Sequence, residues 1–302
     1  MTENEFNVLF YIYKNKNLDS ERILLENHNL NIGELKKVLA DLNSRSWIAG
    51  SEVTSAGYTA LKPYKVDNAI MLAAGASSRC LPFSKIIPKG LFRIKGEILL
   101  ERQIAQLQSA GIKQVILVVG CMKEKFSYLK DKLGVILVEN DDFIERNNTH
   151  SLFVAREYMK NSYICLSDMY YTRNLFSEYE YDSYYPCTFT DQYVDEYCIT
   201  KMKDNFIAEI KRGAENCWCT RGHVYFNKTV CEKFIELLKI ERDYPEVKKK
   251  VYDDFIIKHI DKFLLRVKEV YNEDMVEFDT VKEAIDFDSD FREFIIEKSL
   301  ND

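Results

Sequence analysis

The sequence lacks a long apolar run, an excess of positive charge and a recognisable export signal, and each absence argues against a class of protein. No hydrophobic stretch approaches the ~20 residues that a membrane-spanning helix needs. Lys and Arg number 42 against 48 Asp and Glu, and this net charge of -6 argues against a protein that mainly coats nucleic acid. The N-terminal residues MTENEFNVLF show no basic segment followed by an apolar core. We therefore expect a cytoplasmic protein without a membrane segment.

The eight cysteines are scattered through the chain, and no export signal places them in an oxidising compartment. We expect them to be reduced. The one local cluster is Cys217 and Cys219, which flank Trp218. One residue between two thiols is shorter than the usual zinc spacing, and no second pair follows. The spacing therefore favours buried structural cysteines over a metal site.

Residues 1–65 have the pattern of a small separate domain. Apolar positions recur at helical spacing in EFNVLFYIYKN, DSERILLEN and NIGELKKVLADLN, and WIAGSEVTSAGYTALKPY then predicts a hairpin and a last helical turn. Three helices and a hairpin predict a winged helix, and the segment resembles the N-terminal module of bacterial regulators of the multiple-antibiotic-resistance type. The candidate reading helix offers only Lys36 and Lys37, and residues 1–65 hold eight acidic and eight basic side chains. DNA binding and an accessory or dimerisation role both remain open.

From Asn68 onward, apolar strands alternate with amphipathic helices. The segments NAIMLA, QVILVVG, GVILVEN and SYICLSD are typical of strands buried on both faces, with helical patterns between them. This alternation predicts an α/β fold with a doubly wound, mostly parallel sheet over residues 66–302. Beyond Pro186, shorter alternating segments predict antiparallel strands at one edge, and helices are expected over roughly 228–240 and 247–261.

The stretch LAAGASSRCLPFSKIIPKGL, from Leu72 to Leu91, stands at the end of the first predicted strand. In an open parallel sheet, the loop after the first strand is the usual phosphate site, because its backbone amides point at the ligand. Small residues leave room for a nucleotide, and Arg79 and Lys89 supply positive charge. The spacing is neither that of a dinucleotide fold nor that of a P-loop.

This stretch resembles the signature of the nucleotidyltransferases that make NDP-sugars and related activated alcohols, LAAGxGxRxxPxTxxxPKxL. The matching residues are Leu72, Ala73, Ala74, Gly75, Arg79, Pro82, Pro88, Lys89 and Leu91. Ser77 stands where the second glycine usually is, and Ser84 stands for the usual threonine. The resemblance implies a Rossmann-like nucleotidyltransferase fold.

The resemblance also implies roles for individual residues. Arg79 would hold the departing β- and γ-phosphates, and Lys89 would bridge the attacking phosphate and the α-phosphate. Asp168, at the end of SYICLSD, occupies the place of the family's Mg²⁺ aspartate. The implied nucleotide-binding residues are Leu72, Ala73, Ala74, Gly75, Ala76, Ser77 and Ser78, with Gly120 in the loop after QVILVVG.

Residues 138–171, VENDDFIERNNTHSLFVAREYMKNSYICLSDMYY, are similar over their whole length to bacterial CTP:phosphocholine cytidylyltransferases. That family implies a second metal aspartate preceded by a choline-contacting aromatic. The register favours Tyr252 and Asp254, with Asp253 as the alternative. Glu196 and Tyr197 stand where the family has a Glu-Trp pair in the choline pocket. A quaternary ammonium is held by aromatic faces, and Trp218 is either a second wall of that pocket or a core residue.

These observations predict a Mg²⁺-dependent enzyme that transfers CMP from CTP to phosphocholine and releases pyrophosphate. A first alternative keeps the chemistry and changes the acceptor to 2-aminoethylphosphonate, phosphoethanolamine or a sugar 1-phosphate. A second alternative is a winged-helix transcriptional regulator whose transferase domain senses a nucleotide. A homodimer is possible, because winged helices of this kind often pair.

Overall fold

The computed structural model describes residues 1–27 and 30–300, which divide into two compact units. The first unit contains Met1–Lys65 together with Tyr179–Tyr181, and the second contains the rest of the described chain. No helix within the described residues is both long enough and apolar enough to cross a lipid bilayer.

The first unit consists of short helices and one hairpin. Its elements are α1 (Glu3–Asn15), α2 (Ser20–Glu26), α3 (Ile32–Ser44), β1 (Ile48–Ala49), β2 (Glu52–Val53) and α4 (Ser55–Leu61). The chain forms helices here because each start carries a side-chain cap: Thr2, Asp19, Asn31 and Thr54 accept hydrogen bonds from the amides of the first turn. The element order is the one predicted for residues 1–65. The identification as a winged helix, and with it DNA binding, stays a prediction.

The second unit begins with alternating strands and helices and continues with several strands in succession. Its elements are β3 (Asn68–Ala73), β4 (Arg93–Ile94), β5 (Glu97–Ile98), α5 (Leu99–Ser109), β6 (Val115–Val119), α6 (Tyr128–Leu133), β7 (Ile136–Glu139), α7 (Asn148–Val154), β8 (Ser162–Leu166), β9 (Met169–Tyr171), β10 (Tyr184–Thr190), β11 (Val194–Lys201), β12 (Ile207–Ala214), β13 (Cys217–Thr220), β14 (Val224–Phe226), α8 (Lys228–Glu241), α9 (Pro245–Lys248), α10 (Tyr252–Lys258), β15 (Arg266–Glu269), β16 (Met275–Glu277), α11 (Val281–Phe287) and α12 (Phe291–Leu300).

A large mixed sheet organises this unit. Its described strands follow the order β12-β11-β13-β10-β14-β8-β3-β6-β7, and β15 pairs with β10. β8, β3, β6 and β7 are parallel, whereas the strands from β14 to β12 pair antiparallel. β3 and β6 are buried along their whole length, since apolar side chains pack on both faces. The predicted α/β class and the antiparallel extension past Pro186 are both found.

The helix expected over 247–261 is interrupted in the structure. Contacts from α7 explain the break, because the Thr149 hydroxyl donates to the carbonyl of Lys250 at 2.6 Å and the Tyr252 amide donates to Asn148 Oδ1 at 2.8 Å. These bonds replace helical ones and begin α10 at Tyr252. Tertiary hydrogen bonds therefore decide a boundary that local helical periodicity cannot.

The segment between β8 and β9, which contains Asp168, is held by a buried amide from α5. Gln103 Nε2 donates to the carbonyls of Leu166 at 3.1 Å and Met169 at 2.8 Å, and Gln103 is itself fully buried. A buried carbonyl without a donor loses free energy, so this pair of bonds fixes the backbone on both sides of Asp168.

We expect the substitution Gln103→Leu to lower the free energy of unfolding by about 2 kcal/mol, because it leaves two carbonyls unpaired. Urea denaturation measures the change. The control is Gln108→Leu, also on α5, which removes one bond to the Leu133 carbonyl at a half-buried position. An equal or larger loss in Gln108→Leu would contradict the role assigned to Gln103.

Candidate active site

A cavity of about 630 Å³ opens at the carboxyl ends of β3 and β8. Its lining comes from the loop after β3, from the segment after β8, and from residues of β11, β12 and the start of α10. β3 and β8 are neighbours, while the chain between them runs through β6 and β7 on the far side of β3. This change of direction creates the crevice in which open α/β sheets bind ligands.

The loop after β3 has the geometry expected of a phosphate cradle. Within the described part of the chain, the amides of Gly75, Ala76, Ser77 and Ser78 donate no hydrogen bond to another residue. A Cβ placed on Gly75 would meet no atom within 4 Å, so the space beside it is open. The predicted nucleotide-binding residues that line the cavity are Leu72, Ala74, Gly75, Ser77 and Ser78. Ala73 and Ala76 belong to the same segment but not to the lining.

Gly120 supports this loop from behind. The amide of Cys121 donates to the carbonyl of Ala74 at 3.0 Å, and a Cβ on Gly120 would approach that oxygen to 2.9 Å and the ring of Phe143 to 2.9 Å. Gly120 is not among the cavity-lining residues. Gly120 instead allows the backbone after β6 to pack closely against Ala74. The sequence predicted a contact of Gly120 with the nucleotide.

Lys89 lies at the centre of a group of carboxylates. Its Nζ donates to Asp168 Oδ2 at 2.6 Å and to the carbonyl of Phe278 at 2.9 Å, and it lies 3.5 Å from Asp279 Oδ1. Burial lowers the pKa of Lys89, but the attraction of Asp168 and its hydrogen bond, together with Asp279, raise that pKa above its ordinary value. Lys89 is therefore a permanently charged cation held inside the protein.

Arg79 joins the same group from the exposed side. Its guanidinium binds Asp279 through two contacts, of 2.6 and 2.7 Å. Arg79 and Lys89 thus share one carboxylate, although the sequence placed them ten residues apart with no common partner. Both cations line the cavity beside the loop after β3.

Asp168, Glu277 and Asp279 form a candidate cation site that sequence reasoning missed in part. One carboxylate oxygen from each lies within 4.8 Å of the others. Loss of contact with water raises the pKa of Glu277 to about 7, and the negative charges of Asp168 and Asp279 act in the same direction. β9 begins at Met169, the residue after Asp168. Because β16 pairs with β9, it brings Glu277 and Asp279 close to Asp168. In the sequence, the only indication of this site is the segment VEFDT, in which Glu277 and Asp279 are separated by one residue and so point to the same side of an extended chain.

Asp254, predicted as the second metal ligand, is not part of this carboxylate group. Its Oδ1 accepts a hydrogen bond from the Tyr197 hydroxyl at 3.0 Å, and Lys250 Nζ lies 3.5 Å from its Oδ2. The alternative, Asp253, lines the cavity but likewise lies outside the group. The structure therefore brings Glu277 and Asp279 to Asp168, in place of either member of the acidic pair on α10.

Another part of the cavity lining, here called the tyrosine wall, combines tyrosines with carboxylates. Glu196, Tyr197 and Tyr252, for which the sequence predicts choline contact, belong to this wall, and Tyr185 joins them. The Tyr185 hydroxyl donates to Asp253 Oδ1 at 3.1 Å. Burial raises the pKa of Asp253 to about 7, since the carboxylate lies in an enclosed part of the cavity. This wall suits a cation that is mainly apolar on its surface.

Trp218 does not belong to the cavity lining. Its ring packs edge-on against Phe189 with centroids 5.5 Å apart, and Lys201 Nζ lies 4.1 Å from its centroid. Of the two interpretations that the sequence left open, a packing residue of the sheet fits this environment. Tyr185 of β10, for which the sequence predicted no role, lines the cavity.

The comparisons with known proteins agree with this geometry. Residues 69–181 match the family model of the MobA-like NTP transferase domain. The chain is a nucleotidyltransferase. Choline-phosphate cytidylyltransferase of Streptococcus pneumoniae is 29% identical over 215 residues, covering 71% of this chain and 94% of that protein. For 2-aminoethylphosphonate cytidylyltransferase of Lancefieldella rimae, identity is 27% over 225 residues, with 73% and 92% covered.

Solved structures confirm the α/β fold of this nucleotidyltransferase. The structure of CTP:phosphocholine cytidylyltransferase from Streptococcus pneumoniae superposes with a TM-score of 0.69 at 28% identity, covering 74% of this chain and 97% of that one. The inositol-1-phosphate CTP transferase from T. maritima superposes with a TM-score of 0.57 at 19% identity, covering 78% and 96%, and shows the same fold.

Ser77 adopts a backbone conformation that favours glycine. Its φ of 50° and ψ of 43° lie in the left-handed region, which costs a residue with a Cβ about 1–2 kcal/mol. This is the position at which the family signature has its second glycine. The departure from the signature is therefore a strained serine in an otherwise preserved loop.

We expect Ser77→Gly to raise the free energy of unfolding by about 1 kcal/mol, because relief of the strain exceeds the entropy that glycine loses. Thermal and urea unfolding measure the change, and nucleotidyl transfer should persist. The control is Ser78→Gly, whose position begins a short 3-10 helix and gains no such relief. A more stable Ser78→Gly and a less stable Ser77→Gly would contradict the interpretation.

Proposed function

We propose that this nucleotidyltransferase joins CTP and phosphocholine to give CDP-choline and pyrophosphate. The observation that carries the proposal is the contact of Lys89 with Asp168 and Asp279 beside an amide-lined loop, in a cavity that is also lined by tyrosines and further carboxylates. The similarity to the Streptococcus pneumoniae choline-phosphate cytidylyltransferase, over 94% of its length, supports cytidine and choline as the two groups that are joined.

The chemistry follows from the charges in the cavity. A phosphate oxygen of the acceptor attacks the α-phosphorus of the nucleotide, a new P–O bond forms, and the bond to the bridging oxygen of pyrophosphate breaks. Repulsion between anions dominates the barrier, so fixed positive charge accelerates the step. Lys89 would neutralise the reacting phosphates, Arg79 would hold the departing pyrophosphate, and the free amides of residues 75–78 would bind phosphate oxygens.

The carboxylate group fits a Mg²⁺ ion. Asp168, Glu277 and Asp279 offer only oxygen donors, which is the ligand type that Mg²⁺ takes, and Mg²⁺ sites in such enzymes use few protein carboxylates. A bound Mg²⁺ would supply further positive charge to the phosphates. The ammonium of Lys89 already lies beside Asp168 and Asp279, so a bound Mg²⁺ would share these carboxylates with it.

The tyrosine wall of the cavity would hold the choline. A quaternary ammonium cannot donate hydrogen bonds, so it binds to aromatic faces with a negative charge nearby. Tyr197, Tyr252 and Tyr185 would supply the rings, and Glu196 would supply the charge. Asp253, whose pKa is raised to about 7, would add negative charge in its ionised form. The hydroxyls of Tyr197 and Tyr185 are directed to Asp254 and Asp253, which fixes the orientation of both rings.

A second acceptor, 2-aminoethylphosphonate, is favoured by one feature of the same wall. A primary ammonium donates three hydrogen bonds and needs acceptors, and Asp253 places a carboxylate inside the cavity. The 27% identity to the Lancefieldella rimae 2-aminoethylphosphonate cytidylyltransferase supports this candidate. The tyrosine rings thus favour choline as the acceptor's head group. The Asp253 carboxylate is the feature of this wall that favours a primary amine.

Pyrophosphate release from CTP and Mg²⁺ with competing acceptors distinguishes these candidates. We expect phosphocholine to give the highest kcat/KM, and Tyr197→Ala to raise its KM roughly tenfold by removing an aromatic face. The KM for CTP should stay constant. Tyr193→Ala, at an exposed tyrosine of the same region, is the control. Preference for 2-aminoethylphosphonate would select the second candidate, and no turnover with either acceptor would refute both.

We expect Lys89→Met to lower kcat/KM by roughly 10³, because it removes the cation that neutralises the reacting phosphates. Initial rates of pyrophosphate release measure the effect. Lys85→Met, in the same loop but exposed, should retain full activity. Lys89→Met would also leave Asp168 without its partner, so circular dichroism should first show that the variant is folded. Equal rates in the two variants would contradict the role of Lys89.

A further inference from the structure

Three cysteines meet on the outer strands of the sheet, outside the cavity. Cys198 of β11 and Cys217 and Cys219 of β13 are buried, and their three Sγ atoms lie within 4.8 Å of one another. Val194 and Ala214 pack against them. The sequence showed only the two cysteines around Trp218, since Cys198 comes from the neighbouring strand. None of the three cysteines of this thiol cluster lines the cavity.

The strand register explains how the cluster forms. Cys198 is directly opposite Cys219 in the antiparallel pair of β11 and β13, and Cys217 is two residues further along β13 on the same face. Cys217 Sγ lies 2.9 Å from Cys198 Sγ and 3.8 Å from Cys219 Sγ. Two paired strands therefore hold three sulfurs in a fixed triangle.

We propose that Cys198, Cys217 and Cys219 form a binding site for one thiophilic divalent cation of the zinc class. Two thiolates bound to one tetrahedral zinc ion at 2.3 Å lie about 3.8 Å apart, which the triangle matches after a small adjustment of the closest pair. A metal ion uses all three sulfurs, whereas a disulfide uses two. Within the described chain no histidine, carboxylate or further thiol joins the cluster.

A disulfide is the competing explanation, and the register argues against it for the closest pair. Cys198 and Cys217 are diagonal neighbours, whose Cα atoms in a sheet are about 7–8 Å apart. That distance exceeds the range that a disulfide spans without backbone movement. The fourth coordination position is available to a water or to the carbonyl of Ala214, which lies 3.7 Å from Cys217 Sγ.

The charges around the cluster suit a metal with thiolate ligands. Burial raises the pKa of Cys217 and Cys219, while Lys211 and Arg221 respectively act in the opposite direction. Lys211 is the register partner of Cys198 across β11 and β12. Three thiolates and one divalent ion carry one net negative charge, which these two cations offset. The site would join β11 to β13 on the face opposite Tyr197.

Titration of the reduced, chelator-treated protein with Cd²⁺ tests this site, because cadmium reports thiolate ligands through a charge-transfer absorption. We expect one ion per chain with the intensity of three thiolates. Cys198→Ser, Cys217→Ser and Cys219→Ser should each weaken binding on the order of 100-fold and reduce the intensity by a third. Cys231→Ser, at a buried thiol on α8, is the matched control and should bind as the parent does.

Two further measurements complete the test. Asp168→Asn should leave the charge-transfer absorption unchanged, which separates the thiol cluster from the carboxylate group of the cavity. Zn²⁺ added to the metal-free protein should bind at the same stoichiometry and raise the Tm of the parent but not of Cys217→Ser. Absence of the absorption at one equivalent would overturn the proposal. An unchanged absorption in all three serine variants would also overturn it.

Discussion

The ion pair of Lys89 with Asp168 and Asp279 is the contact on which the active site depends. Its three members come from the signature loop, from the end of β8 and from the segment after β16, so a single ammonium joins distant parts of the chain. A buried lysine is stable only beside negative charge, and a cluster of carboxylates is stable only beside positive charge. The attraction between the ammonium and the carboxylates therefore offsets the free energy that burying each of them costs.

Much of the fold could be predicted from local pattern, because strands buried on both faces are continuous apolar runs and the first loop has its own signature. The site was less accessible to sequence reasoning. Glu277 and Asp279 reach Asp168 only through the pairing of β16 with β9, and no periodicity encodes which short strands pair. Asp254 had the right residue type near a helix start, but the Tyr197 hydroxyl takes up one of its oxygens.

Strands β11 and β13 have the cavity on one face and the thiol cluster on the other. Along β11, Tyr197 reaches the cavity while its neighbour Cys198 lies among thiols on the other face, because successive side chains of a strand point to opposite sides. The same alternation separates Thr220, which lines the cavity, from Cys219. Changes on one face can thus reach the other only through the backbone that both share.

The position of β16 has a consequence for synthesis on the ribosome. The signature loop, the central strands and Asp168 all emerge early, and domains fold progressively as the chain is made. The cluster around Lys89 is incomplete until Met275–Glu277 has left the exit tunnel and paired with β9. During that interval the nascent chain holds a lysine and an aspartate without Asp279, so a nearly finished sheet precedes a working catalytic centre. The active site is therefore completed only after the strands that carry the signature loop and Asp168 have been made.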